Sequence, residues 1–405
     1  MPDTKLMRRT ELDSILADML ETHDGISDLN FTVGRPFQVE AFGQLKPASI
    51  QPQLLGLSPY QTEQIAMQLI GGDPRLMRDL LLRGACDCSY ALDDRARFRV
   101  NIFKQRGHFA VVMRKMQSEM PSIASLGLQP IFRDMCREKN GLILVTGATG
   151  SGKTTTLSAM LNEINEQQAV HVVTLEDPIE FVHQHKRATF NQRELGSDFH
   201  SFPSGLRSAL RQAPKVILVG EMRDRETVEI ALTAAETGHL VLSTIHTINA
   251  GQAINRILGM FAREEEGQLR TRLADTLRWV VSQRLVPKAG GGRALVNEIM
   301  GTNLRVRETI NLGEGESRSF YDIVDANATF GWTTFDQSLG RSYAADEITA
   351  ETADLYATNK ARMTRYIDDI NKKRGLVDEK PLGLRLDLDA TTAAEARANL
   401  HATAK

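Results

Sequence analysis

The sequence predicts an α/β protein, a parallel sheet preceded by a smaller α+β domain. Three observations carry that expectation. The stretch 142–156 reads as a four-residue apolar strand, Leu142 to Val145, running into Gly147-Ala148-Thr149-Gly150-Ser151-Gly152-Lys153-Thr154-Thr155, which fills the P-loop pattern G-x-x-x-x-G-K-[ST]. Short buried runs recur at 170–175, 215–219 and 240–244, with helical stretches such as 202–212 and 227–237 between them. That alternation argues a parallel sheet with its ligand at the C-terminal strand edge. The first 115 residues instead alternate strands and helices without a nucleotide signature.

Bulk composition narrows the class. The chain has 405 residues, enough for two or three domains, with 41% hydrophobic and 25% charged residues. A net charge of −2 gives no basic field for nucleic acid. Three cysteines, Cys86, Cys88 and Cys136, cannot build a disulfide framework and read as packing thiols in a reducing compartment. No apolar run approaches the ~20 residues a membrane helix needs, and residues 1–20 have no signal-peptide core. The expected location is the cytosol.

A first helix over 9–21 sets Leu12, Ile15, Leu16, Met19 and Leu20 on one face. Gly and Pro punctuation over 27–45 gives two strands and a turn. Residues 58–71 form a helix capped by Ser58 with Pro59 at its first position. Residues 81–92 and 97–114 read as strands, the second a hairpin turning near Arg106-Gly107. The polar run 115–121 is the expected linker and hinge. A helix through Ile131, Met135 and Cys136 leads into the P-loop strand, and 155–166 is the helix after the loop. Leu269, Leu273, Leu277, Val280 and Val281 predict one long helix over 264–284, whose mixed charges offer a subunit-contact surface. A strand over 294–300, a helix over 305–312 and a final helix over 349–372 follow. The expected boundaries are 1–115, a linker at 116–122, 123–372, and a loosely held polar tail at 373–405.

The chemistry gathers around the phosphate. Gly147, Gly150 and Gly152 bring backbone N–H groups close to phosphate oxygens, Lys153 faces the β- and γ-phosphates, and Thr154 offers a hydroxyl to Mg²⁺. Glu176, Asp177 and Glu180 leave a buried strand at its C-terminal end, where carboxylates order magnesium waters. The run Val216 to Val219 ends at Gly220-Glu221, and Glu221 is the candidate to polarise the attacking water. Gly220 stands where many P-loop enzymes carry the metal-binding Asp. His239 and His246 bracket the next strand and are candidate γ-phosphate sensors; His171, His183 and His185 read as surface residues. In the hairpin, Arg99 and Arg114 should lie across from one another, an arrangement that favours an anion between them.

The order P-loop, Leu175-Glu-Asp-Pro-Ile-Glu-Phe181, Ile217-Leu-Val-Gly-Glu-Met-Arg-Asp224, Ala231 to His239 and Ser243-Thr-Ile-His-Thr247 resembles the type II/IV secretion ATPase superfamily. Within it the chain is most similar to the type IV pilus twitching-motility (retraction) ATPases, the PilT family. The likeness extends to Ser27-Asp-Leu, Arg97-Phe-Arg-Val-Asn101 and Thr334-Phe-Asp-Gln-Ser-Leu339. It implies a PAS-like N-terminal domain joined to a RecA-like P-loop NTPase domain in a hexameric ring. It also implies Mg²⁺-dependent ATP hydrolysis that drives pilus retraction through an inner-membrane platform protein. Lys153, Glu180, Glu221 and His246 would be catalytic; residues 147–155, Arg99, Arg114 and His239 would hold nucleotide; Thr154, Glu176 and Asp177 would serve the metal. The segment 305–313 matches the family's retraction segment only loosely. No cysteine follows Cys136, unlike the zinc-bearing assembly and type II secretion branch. A type IV secretion ATPase, a nucleic-acid translocase and a non-hydrolysing P-loop regulator are the alternatives.

Overall fold

The computed structural model describes residues 6–51, 54–116, 119–315 and 318–375. Near the N-terminus, strands that alternate buried and exposed side chains pair into an antiparallel sheet. In chain order the elements are α1 (Arg9–Glu21), β1 (Ile26–Phe31), β2 (Gln38–Ala41), β3 (Gln44–Pro47), α2 (Pro59–Ile70), α3 (Pro74–Arg83), β4 (Ala85–Leu92), β5 (Ala96–Gln105) and β6 (His108–Lys115). The six strands lie in the order β3-β2-β1-β6-β5-β4. Leu12, Leu16 and Met19 of α1 and Ile65 and Leu69 of α2 join Leu29, Phe31 and Phe98 of the sheet in one core.

The helix α3 corrects the expectation of a strand from residue 81. Asp73 caps it through the N–H groups of Arg75 and Leu76, Pro74 opens it, and Gly84 closes it in the left-handed region at φ +78. Leu81 and Leu82 are among its exposed positions, so apolarity there does not mark a strand. Cys86 and Cys88 sit on β4, and burial pushes their thiols up to about 11 and about 12.

A second sheet follows, again in chain order: α4 (Ile131–Cys136), β7 (Gly141–Gly147), α5 (Lys153–Gln167), β8 (His171–Glu176), β9 (Thr189–Glu194), α6 (Phe202–Ala209), β10 (Val216–Val219), α7 (Arg225–Glu236), β11 (Leu240–Ile245), α8 (Ala250–Leu258), α9 (Glu266–Thr276), β12 (Leu277–Pro287) and β13 (Arg293–Gly301). Its order is β13-β12-β7-β11-β10-β8-β9, and β12, β7, β11, β10, β8 and β9 run parallel. Every residue of β7 is buried. Leu142 and Leu144 face a core shared with α7, α8 and α9, and Ile143 and Val145 face one shared with α4 and α5. Burial on both faces is what parallel strands with crossover helices require.

The long helix expected over 264–284 is a helix followed by a strand. α9 ends at Thr276, and β12 pairs with β7 from Leu277↔Leu142 to Gln283↔Gly147. On α9, Glu266 pairs with Arg270, and Arg272 pairs with Glu236 of α7, so much of the charge there is satisfied within the chain. Helices α10 (Leu304–Leu312) and α11 (Phe320–Ala326) follow.

By compactness the chain divides into two units: the N-terminus to Leu285 with Leu295–Thr334, and Val286–Ala294 with the chain from Phe335. The second contains α12 (Phe335–Ala344), α13 (Ala350–Tyr356) and α14 (Lys360–Lys373), two helices where one was expected over 349–372. The turn between α13 and α14 is held by buried Asp336 of α12, which accepts from the N–H groups of Thr358 at 2.7 Å and Asn359 at 3.0 Å. Residues 376–405 of the expected tail and 117–118 of the expected hinge lie outside the described residues.

Candidate active site

Parallel register brings four strand ends to one edge. Ile245 stands beside Thr146, Val219 beside both Ser243 and Leu175, so the residues just beyond each strand converge: Ala148 to Gly152, Asp177, Glu221 and His246. The loop after β7 must be glycine where it begins. Gly147 has φ +149, and a Cβ there would stand 2.4 Å from Ser151 Oγ and 2.6 Å from the Gln283 carbonyl oxygen. Strand β12 props the loop from beside it, with Gln283 Nε2 donating to Thr156 Oγ1 at 2.8 Å and Thr146 Oγ1 donating to Ser282 Oγ at 3.0 Å.

Lys153 is the first residue of α5, and its Nζ donates to the carbonyl oxygens of Gly147 and Ala148, each at 3.0 Å. Burial lowers its pKa, and Glu221 and Glu180 counter that shift. Ser151 Oγ is buried in the same loop without a hydrogen-bond partner. An ammonium, an orphaned hydroxyl and the N-terminus of α5 around one loop fit an anion, and phosphate oxygens would satisfy all three.

A cleft of about 290 Å³ opens beside the loop, and Thr154, Asp177, Glu180, Glu221, Arg223 and His246 line it. Glu221 Oε2 lies 2.7 Å from Arg223 Nη2, and its Oε1 lies 3.3 Å from His246 Nε2. Burial acts to raise the Glu221 carboxyl, but the bond and charge of Arg223, joined by His246, outweigh it and hold the group low. Burial raises Glu180, against a hydrogen bond from Thr154 and the charges of Arg99 and Lys153.

Among the described residues no group of three or more His, Cys, Asp or Glu side chains forms a metal cage. One hydroxyl, Thr154, faced by carboxylates across a cleft suits Mg²⁺, which keeps several waters. Of the three residues expected at the metal, Thr154 and Asp177 line the cleft, the Thr154 hydroxyl hydrogen-bonded to Glu180. Glu176 also lines it, but its Oε1 accepts from Thr174 Oγ1 at 2.6 Å and Gln192 Nε2 at 3.0 Å. Burial pushes its carboxyl up to about 7.

The N-terminal sheet lines a neighbouring cavity that shares Pro178 and Glu180 with this cleft. Arg99 and Arg114 are direct cross-strand partners on β5 and β6. With Thr155, Pro178, Glu180 and Phe181 they line a cavity of about 340 Å³ against the P-loop helix. Arg114 Nε lies 2.9 Å from Asp28 Oδ1, a buried carboxylate on β1. Arg106 belongs to the turn at the far end of this hairpin.

Two histidine expectations need correction. His239 precedes β11, and its carbonyl accepts from the Gly141 N–H at 3.0 Å, so it sits at the edge where β7 begins. The six residues of β11 put it roughly 20 Å from the P-loop edge, out of reach of a nucleotide bound by its own chain. His183 is buried, not on the surface, with its ring stacked on Phe190 at 4.6 Å. Arg223, Asp28 and Gln283 emerge only from the fold. For Arg223 a signal existed in the sequence, since it lies two residues beyond Glu221 in the same acidic cluster. Asp28 lies in the family-like stretch Ser27-Asp-Leu, to which no role was attached, and for Gln283 no local pattern pointed to the site.

The chain is similar to several known proteins. The family model described as Type II/IV secretion system protein matches residues 89–317. The type IV pilus retractation ATPase PilT of Pseudomonas aeruginosa is 39% identical over 329 residues, covering 81% of this chain and 93% of that protein. A twitching motility protein of Neisseria gonorrhoeae is 44% identical over 279 residues, 69% of this chain and 74% of that one. A crystal structure of the pilus retraction motor PilT with bound ADP matches with a TM-score of 0.78 at 38% identity, over 87% of this chain and 99% of that chain.

Proposed function

The chain belongs to the Type II/IV secretion system protein family, as a PilT-family ATPase with a RecA-like domain, and from that premise we propose that it is a motor for type IV pilus retraction. The observation that supports this reading best is likeness to a pilus retractation ATPase over nearly that protein's whole length. In this reading the chain works as a closed ring of six, delivers its motion to an inner-membrane platform protein, and stays at the membrane through that partner. Among the described residues no helix is long and apolar enough to cross a membrane.

The proposed division of labour follows from the residues. The P-loop amides, Ser151 and Lys153 hold the β- and γ-phosphates of ATP. Thr154 and, through water, Asp177 and Glu180 would hold Mg²⁺, which when bound neutralises charge on the phosphates. Glu221 orients and polarises the attacking water, and His246 and Arg223 hold its carboxylate. Arg99 and Arg114 grip the γ-phosphate from the N-terminal sheet, so its departure releases that sheet. His239 stands outside its own chain's site.

A deletion strain tests the reading. It should make pili that no longer retract, and neither Lys153→Ala nor Glu221→Gln should restore retraction when wild type does. Normal retraction in the deletion strain, with export of a secreted substrate lost instead, would transfer the motor to secretion. In vitro, Lys153→Ala should lose ATP binding, whereas Glu221→Gln should keep ATP bound and lose turnover by about a hundredfold or more.

A further inference from the structure

The proposed grip of Arg99 on the γ-phosphate requires that the strand carrying it be held in place, and one carboxylate outside the catalytic set does so. Glu194 is the last residue of β9, the edge strand of the seven-stranded sheet. Its side chain is 9% exposed. Oε1 accepts from Ser89 Oγ at 2.6 Å, and Oε2 lies 3.5 Å from Arg97 Nη2 and accepts from the Ile179 N–H at 3.2 Å.

These partners are informative because of where they stand. Ser89 on β4 is the direct cross-strand neighbour of Arg99. Arg97 is two residues before Arg99 on β5, so the two share a face. Ile179 lies between Pro178 and Glu180, which line the cavity that Arg99 also lines. One buried carboxylate therefore holds the platform of Arg99 on one side and the loop of Glu180 on the other. A buried charge with three donors is satisfied, and removing it leaves a guanidinium and a backbone N–H without that partner.

We propose that Glu194 is a positioning residue, a latch that sets the distance between the Arg99 strand and the 177–181 loop and so lets Arg99 reach the γ-phosphate. The inference rests on the reading in which Arg99 grips that phosphate. It assigns no contact between Glu194 and the nucleotide.

The test is a double-mutant cycle on the full chain with Glu194→Gln, which keeps the shape and removes the charge, and Arg99→Ala. Steady-state ATPase rates, ADP affinity and Tm are measured for each. The latch predicts that Glu194→Gln lowers kcat about tenfold in the wild-type background, leaves ADP affinity within about twofold, and lowers kcat by less than about twofold when Arg99 is already alanine. Equal fold-losses in both backgrounds would make Glu194 a general structural residue and overturn the latch. So would a Glu194→Gln enzyme with normal kcat. If Glu194→Gln fails to fold, Ser89→Ala removes one donor only and must show the same dependence on Arg99, or the proposal falls. A normal rate in Arg99→Ala alone removes the γ-phosphate grip itself and the latch with it. A slow Arg99→Ala enzyme with additive loss from Glu194→Gln removes the latch only.

Discussion

Arg223 Nη2 donates to the Glu221 carboxylate at 2.7 Å, from a side chain that is 72% exposed to one that is 17% exposed. Two residues apart in sequence, they combine a carboxyl that burial alone would raise with an exposed cation that holds it low. The arrangement ties the acidity of the carboxylate proposed to orient water to an exposed arginine.

Arg223→Ala should therefore raise the Glu221 carboxyl, since burial is the largest influence on it and would lose its main opposition. The ionised form is the active one, so the acidic limb of kcat/KM against pH should move to higher pH. An acidic limb unchanged between wild type and Arg223→Ala would assign that limb to another group.

The P-loop glycines should separate by mechanism. A Cβ at Gly147 meets Ser151 Oγ at 2.4 Å and a backbone oxygen at 2.6 Å, whereas one at Gly150, φ +76, meets nothing within 4 Å. Gly150→Ala should cost only backbone strain, about 1–2 kcal/mol. Gly147→Ala should cost more, on the order of 3 kcal/mol, and weaken ADP binding because the loop itself must shift. Urea unfolding and ADP titration measure both; equal losses at the two positions would mean that the close contacts relax freely.

Much of this site was legible before the fold. The P-loop, the carboxylates beyond β8 and β10, and the opposition of Arg99 and Arg114 all follow from local pattern, because strand alternation and loop chemistry act over a few residues. The misses have one physical cause, that tertiary contacts decide what local spacing leaves open. Leu269, Leu273 and Leu277 continue a helical stripe, but Leu277 begins a strand buried beside β7, where Val280 and Val281 are both fully buried. His183 and His239 carried no mark of being buried or of standing at the wrong sheet edge. Glu194 became informative only when Ser89, 105 residues away, closed on it.

Asp28→Ala should impair ATP turnover with little effect on stability. Asp28 is buried and pairs in register with Arg114, whose side chain is 73% exposed. Removing the buried carboxylate strands no buried cation, because Arg114 is open to water, so folding should change by at most about 1 kcal/mol, while the pair fixes the direction in which the guanidinium points. We expect kcat to fall about fivefold, ADP affinity to hold, and unfolding free energy to change by under about 1 kcal/mol. A loss of stability without a change in kcat would make Asp28 a structural ligand of the sheet alone.

Glu176 and His183 should tilt the pH dependence of stability in opposite directions. They are joined by one side chain, since Gln192 Nε2 donates to Glu176 and Gln192 Oε1 accepts from the His183 N–H. Burial pushes Glu176 from 4.5 up to about 7 and His183 from 6.5 down to about 4, Lys186 adding to the second shift. Between pH 4.5 and 7 the folded chain holds the Glu176 proton that the unfolded chain has released, so this group's contribution falls as pH rises. Between pH 4 and 6.5 the unfolded chain holds the His183 proton that the folded chain has released, so that contribution rises with pH. Each shift corresponds to about 3 kcal/mol, and the two nearly cancel over their shared window. Glu176→Gln should separate them. Relative to wild type, and apart from a constant offset, it should gain stability progressively from pH 4.5 to 7.5, by up to about 3 kcal/mol. His183→Phe, which keeps a ring against Phe190, should gain instead as pH falls below 6.5. Urea unfolding of the nucleotide-free, magnesium-free protein across that range measures both differences. Parallel stability curves for Glu176→Gln and wild type would show that Glu176 ionises as freely in the folded chain as in the unfolded one.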